Sequence, residues 1–471
     1  MAKGLHVWES DGRSVAVDAD SLFWAQVNPV RGRLPKATVG RLWRPASNGV
    51  NKISPDSIFI PQDVLALYQR HKEWLLKRMN NFRFSTELTA IYIDPTDKCN
   101  ASCAYCYVPA KLRKNGRSMT GKELDFILNK LARHFKGSGR KQVVIFHASE
   151  PLLVKDIIFR AIEKYKNIFK FGLQTNALLL EKRDVVFLKK NFVGVGISLD
   201  SYQPSVNQRQ RPSGLQGGNF SRAVRALEWF DGYNGLNVIA TVTKYNVKDL
   251  PELVRFLHKK KVSCVLLNPV RFTRMAVSIL RPDENDFAKY FIQAVEKAVK
   301  LTSSTHRKII VGNFANTILA IVAPEARRMM CDISPCGGGR CFFTITAQGE
   351  MVPCGEFVGI KGFSGGNIFK HSIAKAMKSP VFVSVRGRTV EKIAECAQCV
   401  LRNICGAPCP AELHSLGNMY QKSVFCDFYK QIIQYAFKMI AQGKVKYLLR
   451  DEPLNNLKYE YKLENNGLAT K

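Results

Sequence analysis

Three cysteines crowd into the stretch Ile91 to Pro109, IYIDPTDKCNASCAYCYVP, at Cys99, Cys103 and Cys106. A short apolar run leads into them and reads as a strand, which places the C-x3-C-x2-C group in a loop just past a strand end. Three thiolates so arranged can hold three irons of a 4Fe-4S cluster and leave the fourth iron open to a further ligand. The alternative is half of a zinc site. Structural zinc takes four ligands, usually from paired C-x2-C units, so a fourth would have to be borrowed, and the x3 step fits a knuckle poorly. A second group lies towards the C-terminus. Cys336 and Cys341 precede the run FFTITAQGEMVP, a hairpin whose turn centres on Gln348-Gly349, and Cys354 ends it; Cys396, Cys399, Cys405 and Cys409 follow at x2, x5 and x3, then Cys426. On count alone, eight thiolates serve two zinc sites as well as two iron-sulfur clusters.

The elements between these groups must position them. From about residue 86 to 305, β-branched runs alternate with amphipathic helices, which predicts parallel strands joined by right-handed crossovers. Thr120 with Glu123 forms a capping box that opens a helix to about Phe135. Strands follow at 142–146, FGLQ, VGVGISL, LNVIATV and CVLLN, with helices at about 154–166, 181–191, 219–229 and 248–260. Pro282 at a first helical position opens a last helix to about Leu301. Six βα units predict an α/β fold, an open, partial (β/α)6 barrel with ligands at the carboxyl ends of its strands. Before it, in residues 1–85, LHVWES, the turn pair Asp11-Gly12 and RSVAVDADSLFWAQV predict a hairpin with further strand, and Pro61 to Asn80 has helical apolar spacing. This small unit reads best as a cover for the barrel's open end.

Polar residues gather where the strands stop. Ser149 and Glu150 follow the second strand and are placed to meet an ammonium group, although spacing alone equally allows a charged residue starting a loop. Gln174 to Asn176 follow the third, and Ser198 and Asp200 the fourth, where a carboxylate can accept from ribose hydroxyls. Arg211 lies in the next loop and reads as a ligand contact or a surface arginine.

A chain of 471 residues, 46% hydrophobic, can bury a large core in two or three domains. Thirteen cysteines are too few per residue for a secreted disulfide scaffold, and their bunching suits metal ligation in a reducing compartment. Glu9, Asp11, Asp18 and Asp20 interrupt the first thirty residues, so no signal peptide is expected. No run approaches eighteen apolar residues, so no membrane span is expected, and a cytoplasmic location follows. The net charge of +33, from 71 basic and 38 acidic side chains, comes without a recognisable nucleic-acid motif. A solvated basic surface accounts for it; an acidic peptide partner or RNA remains open.

With the aromatic Tyr105 directly before its last cysteine, the triad resembles that of the radical S-adenosylmethionine (SAM) superfamily. The resemblance implies that SAM occupies the fourth iron through its amino and carboxylate groups. An electron from the cluster then breaks the sulfur to C5′ bond, giving methionine and a 5′-deoxyadenosyl radical that abstracts a substrate hydrogen. It also implies SAM contacts at Tyr105, Ser149, Glu150, Asn176, Ser198, Asp200 and Arg211. The family's Gly-Gly-Glu after strand two is here Ala148-Ser149-Glu150: the acid is kept and the glycine backbone is not, which implies altered contacts. Its Ser-Leu-Asp pattern is met by Ser198, Leu199 and Asp200.

The C-terminal array resembles the SPASM domain, the auxiliary-cluster extension of radical SAM enzymes that mature peptides and proteins. Family ligation carried over by position implies one 4Fe-4S cluster on Cys336, Cys341, Cys354 and Cys409, and a second on Cys396, Cys399, Cys405 and Cys426. Three clusters and SAM are then the cofactors. Cys264 and Cys331 are left over: Cys264 reads as a small core residue, and Cys331 stands outside the implied ligand sets, with a substitute ligand as its lesser alternative. In sulfatase-maturing relatives an aspartate directly after the third ligand of the first auxiliary cluster serves as a base; here Gly355 stands there, with Glu356 next as a substitute base. The resemblance implies a ribosomally made precursor peptide as substrate and an electron donor such as flavodoxin or ferredoxin. It divides the chain into residues 1–85, a barrel cover or leader-peptide-binding element; 86–305, the barrel; 306–435, the SPASM domain; and 436–471, a tail. The rivals are a radical SAM enzyme acting on RNA or a small molecule, and a non-catalytic zinc-binding interaction protein.

Overall fold

Strand-forming runs such as VVIF and LNVIATV lack the polar and apolar alternation of a half-exposed sheet, because both of their faces are covered. In the computed structural model, which describes residues 5–10, 13–27, 62–214, 218–273, 275–327 and 330–451, their alternation is between buried and half-buried. Leu236, Val238, Ala240 and Val242 are fully buried; Ile239 and Thr241 turn to the half-open interior. One face packs under helices and the other lines a cavity.

The strands are β1 Leu5–Ser10, β2 Arg13–Asp18, β3 Trp24–Val27, β4 Ala90–Ile93, β5 Val143–Phe146, β6 Lys170–Thr175, β7 Gly194–Ser198, β8 Leu236–Val242, β9 Cys264–Pro269, β10 Ile310–Val311, β11 Phe342–Ile345 and β12 Met351–Val352. β1 to β3 form a small antiparallel sheet. The remainder form one sheet in the order β10-β9-β8-β7-β6-β5-β4-β11-β12, parallel throughout except for β11 with β12. Six parallel strands therefore stand in chain order, as expected. Amphipathic helices cover them: Leu250–Lys259 buries Leu253, Val254 and Leu257, each worth about 1.5–3 kcal/mol against exposure. The capping box at Thr120 is present, and its helix runs Gly121–His134.

Several boundaries differ from expectation. The long helix begins at Glu284, capped by Asp283, whose carboxylate accepts from the Asn285 and Asp286 amides; Pro282 stands before the cap because a side-chain acceptor outcompetes a merely permissive φ. The barrel sheet continues past residue 305 into β10, and β11 of the C-terminal region joins its other edge, pairing Phe342 with Ala90 and Ile345 with Ile93. Residue 435 falls inside the helix Cys426–Ala441, which stacks Phe428 on Phe287 of the long barrel helix with ring centroids 3.9 Å apart. The C-terminal region is thus sewn to both sides of the barrel.

The hairpin strands pair as expected, Ser10 opposite Arg13, while the Asp11-Gly12 turn lies outside the described residues. The following helix is longer than expected, Gln62–Phe84, and Tyr68 ties it to the sheet by donating to Asp18 at 2.9 Å. The unit is fastened to the C-terminal region: Trp24 Nε1 donates to the Ile321 carbonyl, Asn403 Nδ2 to the Ala19 carbonyl, and Arg83 pairs with Glu391 at 2.8 Å. None of these bonds falls on the loops at the strand ends, so they give no support to its reading as a cover for the open end. Among the described residues, no helix is long and apolar enough to cross a membrane.

Candidate active site

The loop after β4 carries the triad, and its own backbone fixes it. The amides of Cys99, Ser102 and Ala104 donate to the carbonyls of Arg113, Pro212 and Gln210 at 2.9–3.1 Å, and the Arg113 guanidinium returns to the carbonyls of Val108 and Ala101. Burial pushes the Cys99 thiol up to about 12, and the Cys106 thiol upward as well, with Arg113 pulling the latter back. Buried thiols of this kind become thiolates when a cation compensates them, which is what metal ligation supplies. Asn176 Nδ2 lies 3.8 Å from Cys99 Sγ and donates to Asn100 Oδ1 at 2.9 Å.

Two of the expected SAM residues lie behind the cavity wall. Glu150 is fully buried and accepts from the Leu152 amide, the Thr175 hydroxyl and the Asn176 amide, so it ties the end of β5 to that of β6. Asp200 is also fully buried; it accepts from the Tyr105 hydroxyl at 2.7 Å and the Thr241 amide at 2.9 Å. Arg211 completes this group by donating to Tyr105 Oη. Ser149, Asn176, Ser198, Tyr105 and Arg211 do line the cavity. Ala148 and Ser149 adopt φ +55° and +49°, the left-handed region that glycine enters freely. The glycines themselves are absent from the sequence, yet the glycine-like backbone turn remains.

The cavity holds about 370 Å³ at the carboxyl ends of the strands, within the usual size of a small-molecule site. Arg211 Nε and Asn100 Nδ2 are buried donors with no protein partner among the described residues. Unmet donors beside three thiols suit an anionic ligand head, so the residues present fit the SAM and cluster that the triad implies.

The same cavity is bounded on another side by Cys331, Cys336, Cys354 and Cys409. The thiols on this side differ from the ligand set implied by position, with Cys331 on the cavity and Cys341 off it. Cys331 is exposed through its face on the cavity, and it shares mutual charge repulsion with Cys336, Cys354 and Cys409. Cys341 is buried off the cavity near Arg340, Cys336, Glu87 and Arg140, where β11 meets the barrel edge and its carbonyl accepts from the Thr89 amide. Burial raises the thiols of all four converging cysteines, that of Cys409 to about 12. Cys396, Cys399, Cys405 and Cys426 line a separate space of about 120 Å³. The fully buried Arg388 carries its charge between the two sets, near Cys336 and Cys409 on one side and Cys396 and Cys405 on the other. Among the described residues, no three Cys, His, Asp or Glu side chains converge tightly enough for a single metal ion. Cys264 is buried at the start of β9, as read.

Glu356 also faces the cavity; burial raises its carboxyl and Arg271 pulls it down. Beside it stand His147, Tyr107 and Asp94, which sequence reasoning passed over. The available signal was position: His147 is the first residue after β5, where a barrel side chain turns to the ligand side.

The radical SAM superfamily model matches residues 93–257, and the model of the SPASM iron-sulfur cluster-binding domain matches 336–400. A protein of Archaeoglobus fulgidus described as uncharacterized is 44% identical over 86% of this chain and 93% of its own length. The structure of anSMEcpe with bound AdoMet and Cp18Cys peptide superposes with TM-score 0.65 at 18% identity, covering 76% of this chain and 99% of that one. Streptococcus suis SuiB bound to the precursor peptide SuiA gives TM-score 0.56 at 16% identity, over 90% of this chain and 99% of that one. The chain belongs to the radical SAM superfamily, in the branch whose barrel is followed by a SPASM domain.

Proposed function

We propose that this radical SAM enzyme oxidatively modifies a ribosomally made peptide. The observation that carries the reading is that the triad and the set Cys331, Cys336, Cys354 and Cys409 open on one cavity. Hydrogen abstraction and the acceptance of an electron can then occur on the two sides of one bound substrate. When bound at the triad, the cluster and SAM supply a 5′-deoxyadenosyl radical. The protein's own part is positional. Ser149, Asn176 and Arg211 present polar atoms to the cofactor, and Glu150 and Asp200 hold those residues and Tyr105 in place from behind. The two SPASM thiol sets each supply four ligands, which gives three clusters with the triad. Both fold neighbours are described with bound peptides, Cp18Cys and SuiA, and this supports a peptide here. The net charge of +33 favours an acidic one-electron donor of the flavodoxin or ferredoxin kind.

Anaerobic reconstitution followed by incubation with SAM, dithionite and a panel of synthetic peptides tests the reading. Expected are about twelve irons per chain, deoxyadenosine release, and a peptide product lighter by two hydrogens. Stoichiometric zinc without cluster absorbance sinks it. So does RNA binding with a steep salt dependence in place of any peptide product.

A further inference from the structure

Asp94 ends the approach to the cavity from β4 and is only 2% exposed, yet neither of its carboxylate oxygens has a hydrogen-bond partner among the described residues. A carboxylate left alone in such a place is costly, and burial raises its pKa. The group it faces is His147, with Nδ1 at 3.4 Å from Asp94 Oδ1, and that nitrogen is likewise buried without another partner. His147 is 20% exposed on its side chain and lines the cavity between the triad and the Cys331 set. Its ring is held edge-on by Tyr92 at 5.2 Å and parallel to Tyr107 at 6.4 Å. Opposite it stands Gly355, where an added Cβ would sit 3.2 Å from His147 Cε1 and 3.5 Å from both Nδ1 and Tyr107 Oη. The missing side chain leaves room along the Cε1 and Nδ1 edge of the imidazole, so the ring can sit against Asp94 without a clash.

We propose that His147 is the proton acceptor of the substrate oxidation, and that Asp94 is its positioning residue. With Nδ1–H turned to Asp94, Nε2 carries the lone pair, the arrangement by which a carboxylate fixes a histidine tautomer and stabilises the imidazolium that forms. The spacing of 3.4 Å is long for a neutral hydrogen bond and within reach of an ion pair once the imidazole is protonated. The substrate loses a hydrogen atom from carbon to the deoxyadenosyl radical. The X–H group bonded to or closing on that carbon then loses its proton to His147 Nε2, and one electron leaves for an oxidised 4Fe-4S cluster on the auxiliary thiolates. The C–H and X–H bonds break, a C–X bond or a C=X double bond forms, and the substrate is oxidised by two electrons. X is oxygen, nitrogen or sulfur. The charged and titratable groups facing the imidazole are Asp94 and Tyr92 from β4, Tyr107 from the cysteine loop, and Glu356 beside Gly355.

The proposal rests on the peptide-oxidase reading, and the test separates the two. The reconstituted holoenzyme is given SAM, dithionite and whichever peptide of the panel it oxidises, and product per deoxyadenosine is measured. In His147→Gln this ratio should fall by about 10²-fold or more, the usual size of a general-base contribution. Added imidazole should restore the ratio in His147→Gly, which a merely structural role does not allow. Asp94→Asn should lower the ratio in the same direction. An unchanged ratio in His147→Gln, with loss in Glu356→Gln instead, overturns this proposal and leaves the reading standing. A wild-type enzyme that oxidises no peptide overturns both.

Discussion

The two thiol sets that share the cavity are assembled in opposite ways. Cys99, Cys103 and Cys106 come from one loop, braced by backbone bonds to Arg113, Gln210 and Pro212 that involve no thiol. Cys331, Cys336, Cys354 and Cys409 come from separate segments, and the chain between them adds β11 to the barrel edge. A locally built site can be emptied without disturbing what holds it. A site collected from distant segments doubles as a staple, because metal bound only in the folded state adds its binding free energy to folding.

Emptying the local set is the strongest way to break this comparison. The triple variant Cys99→Ala, Cys103→Ala, Cys106→Ala should lose deoxyadenosine production entirely under strong reductant. It should keep about eight of about twelve irons, with little change in melting temperature. Undiminished SAM cleavage would place the chemistry on another cluster; a collapse of the fold would show that the triad is no less a staple than the distant set.

The distant set gives the sharper discrimination, between two cysteines that spacing cannot separate. Cys331 and Cys341 stand five residues either side of Cys336, so the sequence offers the same loop length to each. Cys331→Ala should cost about four irons and lower the melting temperature. Cys341→Ala should keep the full iron count and lose at most about 1 kcal/mol of packing. The reverse outcome would restore Cys341 to the cluster and move Cys331 to the surface.

The same contrast decides what was legible in the sequence. The six barrel strands and their order were readable because each is a short apolar run between amphipathic helices, and the capping box at Thr120 is local. The pairing of Phe342 with Ala90 was not, since a parallel contact across some 250 residues leaves no mark on either segment. The cysteines were legible as types; that Cys331 and not Cys341 lines the cavity depends on which side of the Cys336 turn faces it, which equal spacing could not tell. His147 and Asp94 looked like ordinary strand-end residues until β4 and β5 were paired and brought them to 3.4 Å.

Ala148 and Ser149 set the smallest effect against this background, and the place where residue type and backbone part company. Their departure from the family's paired glycines suggested a different turn, but both sit at positive φ, +55° and +49°, held by the Ser149 hydroxyl donating to the Asp97 carbonyl at 2.7 Å and by the buried Glu150 that follows. Left-handed backbone costs a residue with a Cβ about 1 kcal/mol. The surrounding bonds over-determine the turn, so the chain tolerates that cost next to its cofactor site. Ala148→Gly should therefore raise stability by up to about 1 kcal/mol, less what glycine returns to the unfolded chain, and leave SAM cleavage intact. Ala148→Val should lower stability, because a β-branched side chain suits positive φ least. If both variants unfold at the wild-type denaturant midpoint, the turn is not left-handed in solution, and the polar cavity wall at Ser149 has a different shape from the one described.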